Sequence, residues 1–155
     1  MCGRQFGRVC MAAAVALVAG IGTGARAREP VSANTGRLKV TVEYKGQLGT
    51  VDKNRKIWIW LFDTPHITTD STPLATGWLT ENKASYSFTS LPKTVYIAAG
   101  FDARGGYDGT MSAAVSGTPV TIHGSPTGDG QATAVATGGD RAAVTVTFDD
   151  TMRIP

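Results

Sequence analysis

Apolar and polar positions along the chain change places with a period of two, in short runs separated by turn-forming residues. That period belongs to strands, and no stretch reads as a helix. In Arg37–Tyr44, Leu38, Val40, Val42 and Tyr44 face one way, and Arg37, Lys39, Thr41 and Glu43 the other, predicting a half-buried strand. Lys56–Phe62 is apolar on both faces, with Ile57, Ile59 and Leu61 opposing Trp58, Trp60 and Phe62. Thr76–Thr80 and Ala84–Thr89 flank the turn Glu81-Asn82-Lys83 and predict a hairpin with Tyr86 and Phe88 turned inward. Thr94–Phe101 follows the break at Leu91-Pro92, with Val95, Ile97, Ala99 and Phe101 on one face.

Beyond Asp102 the Gly-rich stretch Ala103–Thr118 predicts a long loop. Pro119–Gly124 is a short strand whose leading proline suits an edge. Gln131–Ala136 is a marginal strand, and Ala142–Phe148 closes the pattern with Val144, Val146 and Phe148 alternating against Thr145 and Thr147. Seven to eight short strands, each with a buried face, predict an all-β fold: a two-sheet antiparallel β-sandwich of prealbumin or immunoglobulin type. A closed barrel would call for more even strand spacing than the 103–118 loop permits.

Charge changes the picture only when divided by segment. The whole chain of 155 residues carries a formal net charge of +3. Arg4, Arg8, Arg26 and both cysteines, Cys2 and Cys10, fall within the first 27 positions, which hold no acidic residue. The remainder has twelve basic and twelve acidic side chains and no thiol. That excludes a disulfide scaffold, a cysteine-ligated zinc, a cysteine nucleophile and a polybasic surface for nucleic acid or membrane. Residues 1–27 have the layout of a cleaved export signal. A positive start precedes the apolar run Met11–Ala19, and Ala25-Arg26-Ala27 places small residues where a signal peptidase reads them. A membrane anchor would need ~20 apolar residues, and Gly20–Gly24 dilute the run too early. Cys2 and Cys10 precede that run, whereas a lipidated cysteine would follow it. The expected organisation is a signal peptide at 1–27, a flexible lead at 28–36 and one domain at 37–155, acting in the periplasm or outside the cell.

The segment from Leu79 to Ala98 contains a turn, an aromatic-x-Phe strand, Leu-Pro, and a strand opening near a tyrosine, carried by Tyr86, Phe88, Leu91, Pro92 and Tyr96. In this it resembles the carboxypeptidase regulatory-like domains of the transthyretin (prealbumin-like) group. The continuation Phe101–Gly109, then Gly117-Thr118-Pro119 and Ile122-His123-Gly124, is similar to small secreted bacterial domains of unknown function with that fold. The resemblance implies a binding or structural accessory module, carbohydrate-associated in some relatives, and since the residues offer no constellation of base and nucleophile the expectation is a protein that is not an enzyme. One enzymatic relative of the fold hydrolyses hydroxyisourate with N-terminal His and Arg residues and a C-terminal Tyr-Arg-Gly-Ser. This chain ends Met152-Arg153-Ile154-Pro155 and has no histidine before His66, so that activity is excluded.

Three features carry candidate chemistry, each beside a plainer account. Trp58, Trp60 and Phe62, with Trp78 nearby, form an aromatic stripe: exposed, a ligand platform suited to a glycan; buried, the second face of a central strand. Asp102 and Asp108 bracket Gly105 and Gly106, a composition that would let carboxylates and carbonyls surround Ca²⁺, although Arg104 has the wrong sign. The plainer account gives Asp102 a strand end to cap and the glycines a turn. Asp149 and Asp150 join Asp102 and Asp108 only if strand parity brings them to one pole. They do so if 131–136 is a loop and not if it is a strand in simple alternation. His66 and His123 show no short ligand spacing. The expected partner is thus a protein or a glycan, with Ca²⁺ the only cofactor in view, and no nucleic acid or membrane once the signal is removed.

Overall fold

The computed structural model describes residues 35–110, 115–125, 131–139 and 141–155. The expected signal peptide, with its two cysteines, and almost all of the expected lead lie outside the described residues. Among the described residues eight strands form: β1 (Gly36–Tyr44), β2 (Ile57–Phe62), β3 (Ala75–Leu79), β4 (Ser85–Leu91), β5 (Thr94–Phe101), β6 (Val120–Ile122), β7 (Val135–Ala136) and β8 (Ala143–Phe148). No helix occurs among the described residues. One sheet has the order β4-β1-β8 and the other β3-β2-β5-β6, with β7 also on β5, giving the expected all-β two-sheet sandwich.

Alternation places the core between the sheets. Leu38, Val40, Val42 and Tyr44 of β1 meet Ile57, Ile59 and Leu61 of β2 and Val95, Ile97, Ala99 and Phe101 of β5 in one buried cluster. Each large aliphatic or aromatic side chain so buried stabilises the fold by about 1.5–3 kcal/mol. At one pole the Tyr44 ring lies 4.4 Å from Phe101 and 5.2 Å from Phe148, joining the two sheets.

The structure departs from the sequence reading in two connections. β3 and β4 do not form a hairpin: β3 pairs with β2 in one sheet, and β4 with β1 in the other. The turn between them is held by β1 instead. Asn82 Nδ2 donates to the Tyr44 carbonyl, Asn82 Oδ1 accepts from Tyr44 N–H, and Lys83 N–H donates to the Val42 carbonyl. Tyr86 and Phe88 nevertheless turn inward, and the Tyr86 ring fills the space above Gly77 on the facing sheet, where a Cβ would come within 2.7 Å of it. The second departure is β8, which pairs with β1 in parallel, Lys39 opposite Ala143 through Tyr44 opposite Phe148, while the other strand pairs are antiparallel. β6 and β7 are the cause. Both run antiparallel to β5, β6 along its end and β7 along its beginning, so the chain does not reverse between them.

Candidate functional site

Because β2 is apolar on both faces, the larger sheet buries its inner face in the core and needs a cover on its outer one. Strand register arranges that outer face in rows. Trp78 of β3, Trp58 of β2, Gly100 of β5 and Val120 of β6 form one row, and Thr76, Trp60, Ala98 and Ile122 the next. Trp60 packs over Gly100, where a Cβ would approach its ring to 3.2 Å.

The segment Asp102–Thr110 covers the tryptophans. Asp102 sits at the end of β5 with only 8% exposure, and its carboxylate accepts N–H groups from Gly105 at 2.8 Å and Tyr107 at 2.9 Å. That closed turn swings Tyr107 over the sheet, where its ring meets Trp58 edge-on at 5.5 Å and Trp60 at 6.2 Å. Gly109 then lies on the Trp58 ring, and its carbonyl accepts the buried Trp60 Nε1–H at 2.8 Å. Trp58 and Trp60 are consequently 5% and 1% exposed. The open platform that Trp58 and Trp60 would make on a bare sheet is not formed, since the loop occupies that space. Trp78, in the same row, keeps 48% exposure.

The cover is incomplete. Tyr107 and Trp58 line two adjoining clefts. The first, about 630 Å³, has Trp58, Trp60 and Gly100 as its floor, with Pro119, Val115 and Leu48 among its walls and Arg104 and Arg153 contributing its cations. The second, about 720 Å³, is bounded by Trp78, Lys56, Thr76, Ser71, Thr72 and Asp108 among others. Both volumes fall in the range of small-ligand sites. Lys56 Nζ stands 5.8 Å from the Trp58 ring centre and 5.6 Å from that of Trp78, a cation shared by two indoles. Trp58 Nε1 is buried and has no hydrogen-bond partner among the described residues. An unmet buried donor of this kind costs about 1–3 kcal/mol. Burial, with the nearby Asp108 and Asp102 carboxylates adding to it, pushes the Tyr107 phenol up to about 12, so it stays a neutral donor, bonded to the Thr110 carbonyl.

Parity brings Asp102, Asp149 and Asp150 to one pole, since β5 and β8 both end beside Tyr44. They do not converge into a cation site. Among the described residues no three Asp, Glu, His or Cys side chains stand close enough together to hold a metal ion. Each carboxylate is engaged by donors of the protein itself. Asp108 accepts the Thr110 N–H, Asp149 the Thr151 N–H, and Asp150 takes the Tyr44 hydroxyl on one oxygen and the Gln47 N–H on the other. Asp102, Asp108 and Asp149 cap turns, Asp150 ties to Tyr44 and Gln47, and among the described residues the four candidate Ca²⁺ ligands do not gather round one point. His66 pairs with Gln131, 3.2 Å from the His66 Nδ1.

Sequence reasoning named Trp58, Trp60 and Trp78 but not Tyr107, Gly109, Leu48, Val115 or Arg153. A tyrosine between glycines in Gly105-Gly106-Tyr107-Asp108-Gly109 was a usable signal, since an aromatic in a loop otherwise without bulk needs somewhere to pack. Leu48 and Arg153 reach the cleft through tertiary folding alone. A scan against protein-family models finds no match, and a search of curated proteins finds none.

Proposed function

We propose that the protein is an exported, non-catalytic binding module that holds its ligand on the outer face of the larger sheet, in the clefts at Tyr107 and Trp58. The observation that carries this is where exposed apolar surface remains. Among the described residues the exposed large hydrophobic side chains are Leu48, Leu74, Trp78 and Val115, and three of these four line one or other cleft. Apolar surface gathered around a concave site is the mark of a ligand surface, whereas scattered exposure is ordinary. Asp102 and Asp108 are engaged by backbone N–H groups, which suits contact and hydrogen bonding rather than proton transfer. The likeness of Tyr86, Phe88, Leu91, Pro92 and Tyr96 to the regulatory-like sandwich group agrees with an accessory role.

Nuclear magnetic resonance with a small-fragment library tests this, because the chain has three tryptophans and each indole N–H is a separate reporter. The expected result is that fragment-induced shifts gather at Trp58, Trp60 and Trp78. Shifts scattered over the surface, or confined to the smaller sheet, overturn the reading.

The second cleft favours a glycan in particular. Half-exposed Trp78 offers an apolar ring to the C–H face of a sugar, with Lys56, Asp70, Ser71, Thr72 and Asp108 around it to meet hydroxyls. Electrophoresis through gels containing xylan, β-glucan or chitosan measures this. Retardation by one of the three polymers that disappears in Trp78→Ala supports it, and unretarded migration in all three opposes it.

A further inference from the structure

We propose that the cleft over Trp58 and Trp60 is a site for a small planar organic anion, a carboxylate carried on an aromatic or conjugated ring. This rests on the binding-module reading and names the ligand class of one of its two clefts.

The floor selects flatness. Trp58 and Trp60 lie under Tyr107, and Gly100 beside them carries no side chain, since a Cβ there would press both Trp60 and Val120 at 3.2 Å. The side walls are apolar, with Pro119 fully buried and Leu48 and Val115 exposed toward the opening at 39% and 44%. A planar ring buries apolar area there with little conformational entropy to lose.

The unused donors select an anion. Four charged residues line the cleft: Asp102, Asp108, Arg104 and Arg153. Both oxygens of Asp102 are taken by the Gly105 and Tyr107 N–H groups, and Asp108 accepts the Thr110 N–H. The arginines are not matched in this way. Arg153 donates its Nε–H to the Asp150 carbonyl at 3.0 Å, which leaves its terminal nitrogens, and neither arginine has a carboxylate within ion-pair distance among the described residues. The formal charges of the lining balance, but the hydrogen-bonding capacity left unused is that of the arginine donors, and a guanidinium's planar fork matches a carboxylate. Trp58 supplies a third, independent feature: an indole N–H that is buried, belongs to a residue lining this cleft and has no acceptor. A ligand oxygen reaching it as Tyr107 shifts would remove the cost of that unmet donor.

Naphthoate and its uncharged counterpart naphthamide are the probes, titrated into the whole protein and followed by the indole N–H signals. The expected outcome is that naphthoate moves the Trp58 and Trp60 signals and binds about fivefold or more tighter than the amide. The double variant Arg104→Gln/Arg153→Gln should lose that margin and bind naphthoate no tighter than naphthamide, and a circular dichroism spectrum matching the parent's shows that the variant folds. Equal affinity for acid and amide overturns the anion assignment while leaving the module reading intact. Naphthoate shifts confined to Trp78 overturn the assignment to this cleft. No response to either probe overturns the proposal, and the fragment library then decides separately whether the binding-module reading stands.

Discussion

Gly109 is where the covering loop touches the tryptophan floor, and Gly109→Ala tests whether that contact holds the site together. Its φ is +91°, and an added Cβ would stand 2.3 Å from the Trp58 ring. Holding alanine at such a φ costs about 1–2 kcal/mol. The clash cannot be relieved without lifting the loop, and lifting it removes the Gly109 carbonyl from Trp60 Nε1, 2.8 Å away. A buried indole N–H left without an acceptor costs a further 1–3 kcal/mol or so. Together these come to about 3 kcal/mol, limited above by the free energy that the loop itself contributes, because a chain can let the loop go and keep its core. Gly106 supplies the control: its φ is +88°, yet a Cβ there meets nothing within 4 Å. Gly106→Ala should therefore cost only the backbone strain, about 1 kcal/mol. At ~4 °C per kcal/mol for a domain of this size, the melting temperatures should fall by about 4 °C for Gly106→Ala and about 12 °C for Gly109→Ala. Circular dichroism reads the melting, and iodide quenching of tryptophan emission reads the loop. Gly109→Ala should make Trp58 and Trp60 quenchable beside Trp78, and Gly106→Ala should not. Equal melting losses with unchanged quenching in both would refute the reasoning, since the Trp58 ring would then be rotating away under a loop that stays in place.

Two further outcomes follow from ionisation. The Arg55 backbone N–H, the Arg55 guanidinium and the Asn54 N–H hold Asp52 at about 2, so its contribution to stability is complete above the ordinary aspartate value of about 3.9 and is lost as pH falls through 2. The urea midpoint should drop across that window, and Asp52→Asn should flatten part of the drop; a variant with the parent's slope removes Asp52 from the account. At the other extreme, burial and the bond to Asp150 push the Tyr44 phenol up to about 12, and burial does the same for Tyr107. Unfolded tyrosines ionise near 10, so stability should decline as pH rises from about 10 to 12, and an ultraviolet tyrosinate titration should lose a late-ionising group in Tyr44→Phe.

What the sequence made legible was whatever depends on a residue and its neighbours two places away. β1, β2 and β5 could be read because alternation states which side chains go inward, and β2 announced two buried faces by having no polar residue on either. Partnership across the fold was not legible. Glu81-Asn82-Lys83 has a hairpin's composition, but Asn82 is spent on Tyr44, 38 residues earlier, and that long-range pairing sends β4 to the other sheet. Parity stayed open for a related reason. β7 is a strand of two residues that continues the direction of β6, so counting strands does not count reversals. Three of the carboxylates were the reverse case, since what occupies them is local. Asp52, Asp108 and Asp149 each accept the N–H two residues on, a turn readable from sequence, and a residue so used has less to offer a metal.

The position of the clefts follows from the difference between the two outer faces. The smaller sheet shows water Lys39, Glu43, Ser85 and Ser87, with Thr41 hydrogen-bonded to Ser85 and Glu43 paired with Lys83 at 3.2 Å and Lys45 at 3.8 Å. That face is satisfied by solvent and by its own neighbours. The larger sheet cannot be, because Trp58, Trp60 and Phe62 point outward from it and leaving them wet would forfeit several kcal/mol of burial. The loop drawn over them must come close enough for Gly109 to touch an indole, which only a residue without a Cβ can do. The same composition deprives the loop of bulk, since between Asp102 and Thr110 Tyr107 is the only aromatic side chain available to fill space over the sheet. Close approach and incomplete filling are therefore two consequences of one glycine-rich segment. The clefts on either side of Tyr107 lie where the chain covers its tryptophans with backbone rather than side chain.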